Sequence, residues 1–120
     1  MSKKKKKKIK ASKEFFFKKE EKWEQVDPKI KRQIQGMDDK IMLVKAKFKK
    51  GGVGQLHKHY HSQVTYVASG EFEMTIGDEI KTIKKGDSYY IPPHVMHGCT
   101  CTKPGTLIDV FSPYREDFVG

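Results

Sequence analysis

Histidine is concentrated in two short stretches of this chain. All five histidines fall within GGVGQLHKHYHSQVTYVASG (Gly51 to Gly70) or GDSYYIPPHVMH (Gly86 to His97). Imidazole nitrogen is the commonest protein ligand for a transition metal. His57 and His59 are two residues apart, a spacing that puts both rings on one side of a β-strand. Gln63 can bring an amide oxygen to the same point after a short bend. His97, behind Pro92-Pro93, offers another imidazole. Three imidazoles and an amide are all neutral, so a divalent ion held by them keeps its charge and is a stronger Lewis acid. The iron-oxygenase pattern has two histidines and a carboxylate. A glutamine in that place argues against oxygen chemistry. His61 reads as a pocket wall or as a residue behind the ligands that supports them, and His94 as a rim residue. Cys99 and Cys101 share strand parity with His97 and can face the interior as small apolar groups.

A second set of reactive residues lies near the C-terminus, in TLIDVFSPYR. Leu107, Asp109 and Phe111 alternate onto one face. An acid among aliphatic residues is costly if buried unpaired. Asp109 therefore either forms a salt bridge with an arginine such as Arg115 or faces a polar cavity as a general acid/base.

The positioning elements read as strands. Ile30, Arg32 and Ile34 alternate with Lys31 and Gln33, and Met42, Val44, Ala46 and Phe48 alternate with Lys45 and Lys47. Phe72, Met74 and Ile76 do the same before a Gly77-Asp78 turn. Ser88 to Ile91 is stopped by Pro92-Pro93. His97 to Thr102 and Thr106 to Phe111 read as separate strands around a Lys103-Pro104-Gly105 turn. Glu14 to Gln25 reads as a strand, able to reach a partner subunit from Phe15 to Lys19, and then a helical turn. Many short strands between Gly and Pro turns predict an all-β sandwich or barrel.

The 120 residues suffice for one domain. The formal charge is +10, but Lys3 to Lys8, Lys10 and Lys13 hold 8 of the 25 basic residues, leaving 17 against 15 acidic ones. Residues 1–13 are expected to be a disordered lysine-rich tail and 14–120 the folded domain. Nucleic acid is not expected as a partner. The tail lacks the apolar segment of a secretory signal, no span is apolar enough for a membrane, and two cysteines make no disulfide framework. A cytoplasmic protein is expected.

The two histidine stretches together resemble the cupins. Gly51, His57, His59 and Gly70 fall on the first cupin motif, with Gln63 where glutamate is usual. Gly86, Pro92 and His97 fall on the second, with His94 in place of its second glycine and Cys101 in place of its asparagine. The resemblance implies a single-domain double-stranded β-helix, or jelly roll. It also implies one divalent metal (nickel, zinc, manganese or iron) held by His57, His59, Gln63 and His97, and a homodimer. LIDVFSPYREDF, HxHxHxQ and IPPHVMHG are further similar to small cupins that act on unsaturated monouronates from pectin or alginate, from about Phe15 to Phe118. That likeness implies ring opening and tautomerisation of a sugar acid to its linear keto form. The functional residues would be Asp109, Phe111 and Arg115. A cupin metal dioxygenase and a non-enzymatic small-molecule binder are the alternatives.

Overall fold

The computed structural model describes residues 11–119. A 3-10 turn, Lys18–Glu20, precedes eight strands. These are β1 (Glu24–Asp27), β2 (Ile30–Met37), β3 (Met42–Phe48), β4 (Val53–His57), β5 (Ser62–Ile76), β6 (Glu79–Lys84), β7 (Ser88–Ile91) and β8 (His97–Ser112). A four-residue helix, α1 (Glu116–Val119), follows. All the strand pairings are antiparallel.

Two long strands organise the fold. β5 and β8 pair along most of their length, and each serves two layers. The first half of β5 and the second half of β8 join β7 and β3-β2-β1. Their other halves join β6 and β4. The crossover lies at Gly70 and Gly105, where the register shifts between Val67 and Phe72. Gly70 has φ +83°, and a Cβ on Gly105 would stand 2.1 Å from the Ser69 carbonyl oxygen. Neither position accepts a side chain, so the two backbones bend together. Lys103-Pro104-Gly105 is therefore a kink within β8, not the expected turn. The kink works because Gly70 faces it.

The layers close on Ile30, Phe48, Val67 and Leu107 from one side and Phe72 and Cys101 from the other. Phe48 meets Phe72 edge to face at 5.2 Å, a contact worth about 1 kcal/mol beyond its buried area. Met42, Val44 and Phe111 form a second cluster toward the open end, capped by Tyr114 and Phe118. Inward residues follow the expected alternation in β3 and the C-terminal half of β8, whereas in β2 Gln33, expected on the face opposite Ile30, is buried as well. The N-terminal segment departs from it. Among the described residues, no strand forms from Phe15 to Lys19, where the three phenylalanines are followed by consecutive charges that give no alternating apolar face. Residues 1–10 of the expected tail lie outside the described residues. Ser12 bonds Met37 through both its backbone N–H and its hydroxyl. No helix among the described residues is long and apolar enough to cross a membrane.

Candidate active site

The site lies between the layers at the open end. β4 ends at His57, which sits opposite His97, the first residue of β8. His59 lies beyond β4 in the connection to β5, and Gln63 is the second residue of β5. His57 and His59 come together as expected, although only His57 lies within β4. The bend comes after His59, at Tyr60 and His61. Ring centroids are 4.3 Å apart for His57 and His97, 4.8 Å for His59 and His97, and 5.6 Å for His57 and His59. One nitrogen from each of the three lies within 4.8 Å of the others.

The hydrogen bonds set the ring tautomers. His57 Nδ1 donates to the Gln55 carbonyl at 2.7 Å, His59 Nδ1 to His61 at 3.1 Å and His97 Nδ1 to Val95 at 2.9 Å. With each Nδ1 proton engaged, a neutral ring presents Nε2 as a bare lone pair. Burial holds His97 down at about 4 and also lowers His59, so both rings are neutral at pH 7. His97 Nε2 is buried and has no partner. His59 Nε2 faces the Gln63 amide oxygen at 3.0 Å. Two lone pairs at that distance call for a cation between them, and orienting the ring through its far nitrogen is the usual support for a metal ligand. The donor set fits a divalent metal, and the fold with this histidine cluster suggests a metal site.

Asp109 lies in a row of aligned residues. Tyr89 on β7 opposes Thr65 on β5, and Thr65 opposes Asp109 on β8. Thr65 donates its hydroxyl to Asp109 Oδ1 at 2.6 Å, and Gln63 Nε2 reaches the same oxygen at 3.4 Å. Burial nevertheless dominates and pushes the Asp109 carboxyl up to about 6. Arg115 is buried, but its Nε and Nη2 bond Asp117 at 3.0 and 2.8 Å. Among the described residues Asp109 forms no ion pair of its own. The structural salt bridge is thus not made, and the acid is left facing the cavity. The Arg115 guanidinium lies 4.9 Å from the Phe111 ring and 4.2 Å from Phe118. Phe111 touches His59 edge-on at 5.8 Å.

A cavity of ≈ 140 Å³ gathers His57, Gln63, His97, Asp109, Phe111 and Arg115 in its wall. His59 meets it through Gln63 and Phe111. A larger hollow of ≈ 470 Å³ lies at Lys29, Lys31, Lys47 and Lys49, and no histidine, cysteine or carboxylate lines it. His61 turns away from the cluster to Glu116, at 2.7 Å from its Nε2. It supports the site through its carbonyl, which accepts from His59, and through its ring, which meets the His59 ring edge to face at 5.3 Å. His94 is exposed at the rim with φ +66°, the left-handed backbone for which the cupin motif has glycine. Cys99 lines the cavity, with its thiol raised to about 11 by burial, and Cys101 is in the core. Thr65, Tyr89 and Asp117 are absent from the sequence-based site. Thr65 could have been found, since it shares strand parity with Gln63. Tyr89 and Asp117 depend on pairing and on a turn that no local pattern shows.

The chain belongs to the cupin family: residues 44–111 match the family described as Cupin domain. It is 43% identical, over 81% of its length and 90% of the relative's, to the pectin degradation protein KdgF of Dickeya dadantii (strain 3937). The crystal structure of an RmlC-like cupin from Shewanella frigidimarina NCIMB 400 superposes with a TM-score of 0.89 at 44% identity, covering 92% of this chain and 99% of that one. KdgF from Halomonas sp. superposes with a TM-score of 0.85 at 38% identity, covering 88% and 99%.

Proposed function

We propose that this cupin converts unsaturated monouronates, released from pectin or alginate, to the linear keto form by ring opening and tautomerisation. The observation that carries the reading is Asp109, an unpaired acid raised to about 6 in the cavity that also holds the histidine cluster. It occurs in a chain similar over 81% and 88% of its length to two KdgF proteins. His57, His59, Gln63 and His97 would hold the metal. When bound, such an ion supplies a positive charge that polarises substrate oxygens.

The chain's own residues account for the proton. The substrate ring is a hemiacetal bearing an enol ether. Asp109 takes the proton from the hemiacetal hydroxyl as the ring C–O bond breaks, which leaves an aldehyde and an enolate. It then returns the proton to the enolate carbon and so yields the ketone. Nothing is oxidised or reduced. A carboxyl near pH 6 suits both halves of the task. Arg115 holds the uronate carboxylate, and its guanidinium is kept in place by Asp117 and the two phenylalanine faces. Phe111 gives the sugar ring an apolar wall. The test is turnover of unsaturated galacturonate in deuterated water, followed by NMR. The expected product is the keto form with deuterium on the newly saturated carbon. A product without deuterium there, or no product, contradicts the reading.

A homodimer and a cytoplasmic location belong to the same proposal. The outer face of β5, β7 and β8 leaves Val64, Tyr66 and Tyr90 about half exposed side by side, an apolar patch of the kind partners cover. Cys99 and Cys101 are both free thiols, as suits a reducing compartment. The division at residues 13 and 14 is likewise proposed. A chain starting at Glu14 loses the Ser12–Met37 bonds but none of the site.

A further inference from the structure

We propose that Gln63 is a positioning residue for Asp109, acting through its amide nitrogen and Thr65. The substituent at this position must be an amide, since it has to accept toward the histidines and donate toward the acid. The bridge follows from geometry, and only its catalytic consequence rests on the proposed uronate chemistry.

Gln63 is the side chain that touches both halves of the site. Its Oε1 lies 3.0 Å from His59 Nε2. Its Nε2 lies 3.0 Å from Thr65 Oγ1 and 3.4 Å from Asp109 Oδ1. The amide orientation is fixed from both ends. Thr65 has one hydroxyl proton, and the 2.6 Å bond to the ionised Asp109 uses it. Thr65 Oγ1 must then accept from Gln63, which places the amide N–H₂ on that side. At the other end, His59 spends its Nδ1 proton on the His61 carbonyl. Its Nε2 is a lone pair, and the oxygen of Gln63 is the end that can share a cation with it.

Both arms end on Oδ1 of Asp109. Oδ2 has no hydrogen-bond partner among the described residues, so it is the oxygen available to move a proton. The carboxylate is thereby locked in rotation about its own axis, with one oxygen anchored and one free. Thr65 is fully buried and opposes Asp109 in register, so the anchor does not drift. A glutamate at 63 would bring a second carboxylate against Thr65 Oγ1 and Asp109 Oδ1. It could still hold a metal, and its added charge would favour that. It could not donate, and it would repel the acid it now supports.

The proposal therefore separates metal binding from acid positioning, and the test follows that division. Gln63→Glu, Thr65→Val and Thr65→Ser are compared with the parent for metal content, steady-state kinetics on unsaturated galacturonate and infrared absorption. The Asp109 carboxylate band is identified by its loss in Asp109→Asn. Gln63→Glu is expected to keep its metal, change KM by no more than a few-fold and lose about 10²-fold in kcat, the usual cost of a misplaced group. Thr65→Val leaves the metal-facing oxygen in place. It should shift the Asp109 band and lower kcat about tenfold or more, while Thr65→Ser, which keeps the hydroxyl, should restore both. Parental kcat with an unshifted band in Thr65→Val would overturn the bridge, whatever happens to metal in Gln63→Glu. If the parent turns over no unsaturated uronate, the proposed function fails. A shifted band in Thr65→Val would still support the bridge, and an unshifted one would still overturn it.

Discussion

On the proposed reading Asp109 moves the proton and Arg115 holds the substrate, so their variants should fail differently. Asp109→Asn is nearly isosteric and keeps an acceptor for Thr65, so the fold and the histidine cluster should stand. It cannot shuttle a proton, and kcat should fall by about 10²–10⁴. Arg115→Ala removes a clamp on the carboxylate and should act substantially through KM, since a clamp contributes ground-state binding as well as orientation. Steady-state kinetics on both variants, with metal content measured alongside, separate the two roles. Parental rates in both would make the pair structural. The sequence showed these residues through their types alone. Asp109 was conspicuous as an acid between aliphatic neighbours. Thr65 is readable by its parity with Gln63, but its bond to Asp109 depends on the β5–β8 pairing, which local pattern does not encode.

At the scale of elements, alternation gave the strands and misread the places where they bend. The faces of β3 are legible, since Met42, Val44, Ala46 and Phe48 alternate with Lys45 and Lys47, and in β8 Leu107 and Phe111 mark the face that carries Asp109. Gly105 was read as part of a turn because its neighbour is proline. Only the facing Gly70, 35 residues away in sequence, makes it a crossover. The histidine motifs point to the cluster, but His59 stands beyond the end of β4 and Gln63 reaches it only after a bend at Tyr60 and His61. Backbone geometry then makes opposite predictions for two positions. Gly105→Ala drives a methyl into the Ser69 carbonyl and should cost about 3 kcal/mol or more in denaturant unfolding. His94→Gly relieves an exposed left-handed residue and should be neutral or stabilising by up to about 1 kcal/mol. A stable Gly105→Ala would mean that the crossover can relax. A destabilised His94→Gly would mean that the histidine side chain supports the rim.

At the scale of the whole molecule, His97 and Asp109, both in the cavity wall, have opposite effects on stability in acid. His97 is held at about 4, below its ordinary 6.5. As pH falls from 6.5 toward 4 the unfolded chain takes up that proton first, and stability declines. Asp109 is raised to about 6 from its ordinary 3.8. Across that interval the folded chain takes up the proton first, and stability rises. The two largely offset in the parent, although His59 is also lowered and adds to the histidine side. Asp109→Asn removes the compensation. In chelator-treated protein its stability should fall more steeply than the parent's between pH 6 and 4, by about 1.4 kcal/mol per pH unit. Parallel curves would place Asp109 in water rather than in a buried cavity. The assembly can be tested at the outer face: Tyr66→Lys should turn a dimer into a monomer in sedimentation, and an unchanged mass would put the contact elsewhere. The central claim is that the histidine cluster and Asp109 together form one proton-transfer site for unsaturated uronates. Its most direct test is the decay of the enol-ether absorbance of unsaturated galacturonate, measured with the parent, with Asp109→Asn and with His57→Ala/His97→Ala. The account predicts rapid decay with the parent, a rate about 10²–10⁴ lower with Asp109→Asn, and a comparably slow rate with the histidine variant, which should carry no metal. Equal decay with all three proteins would contradict it.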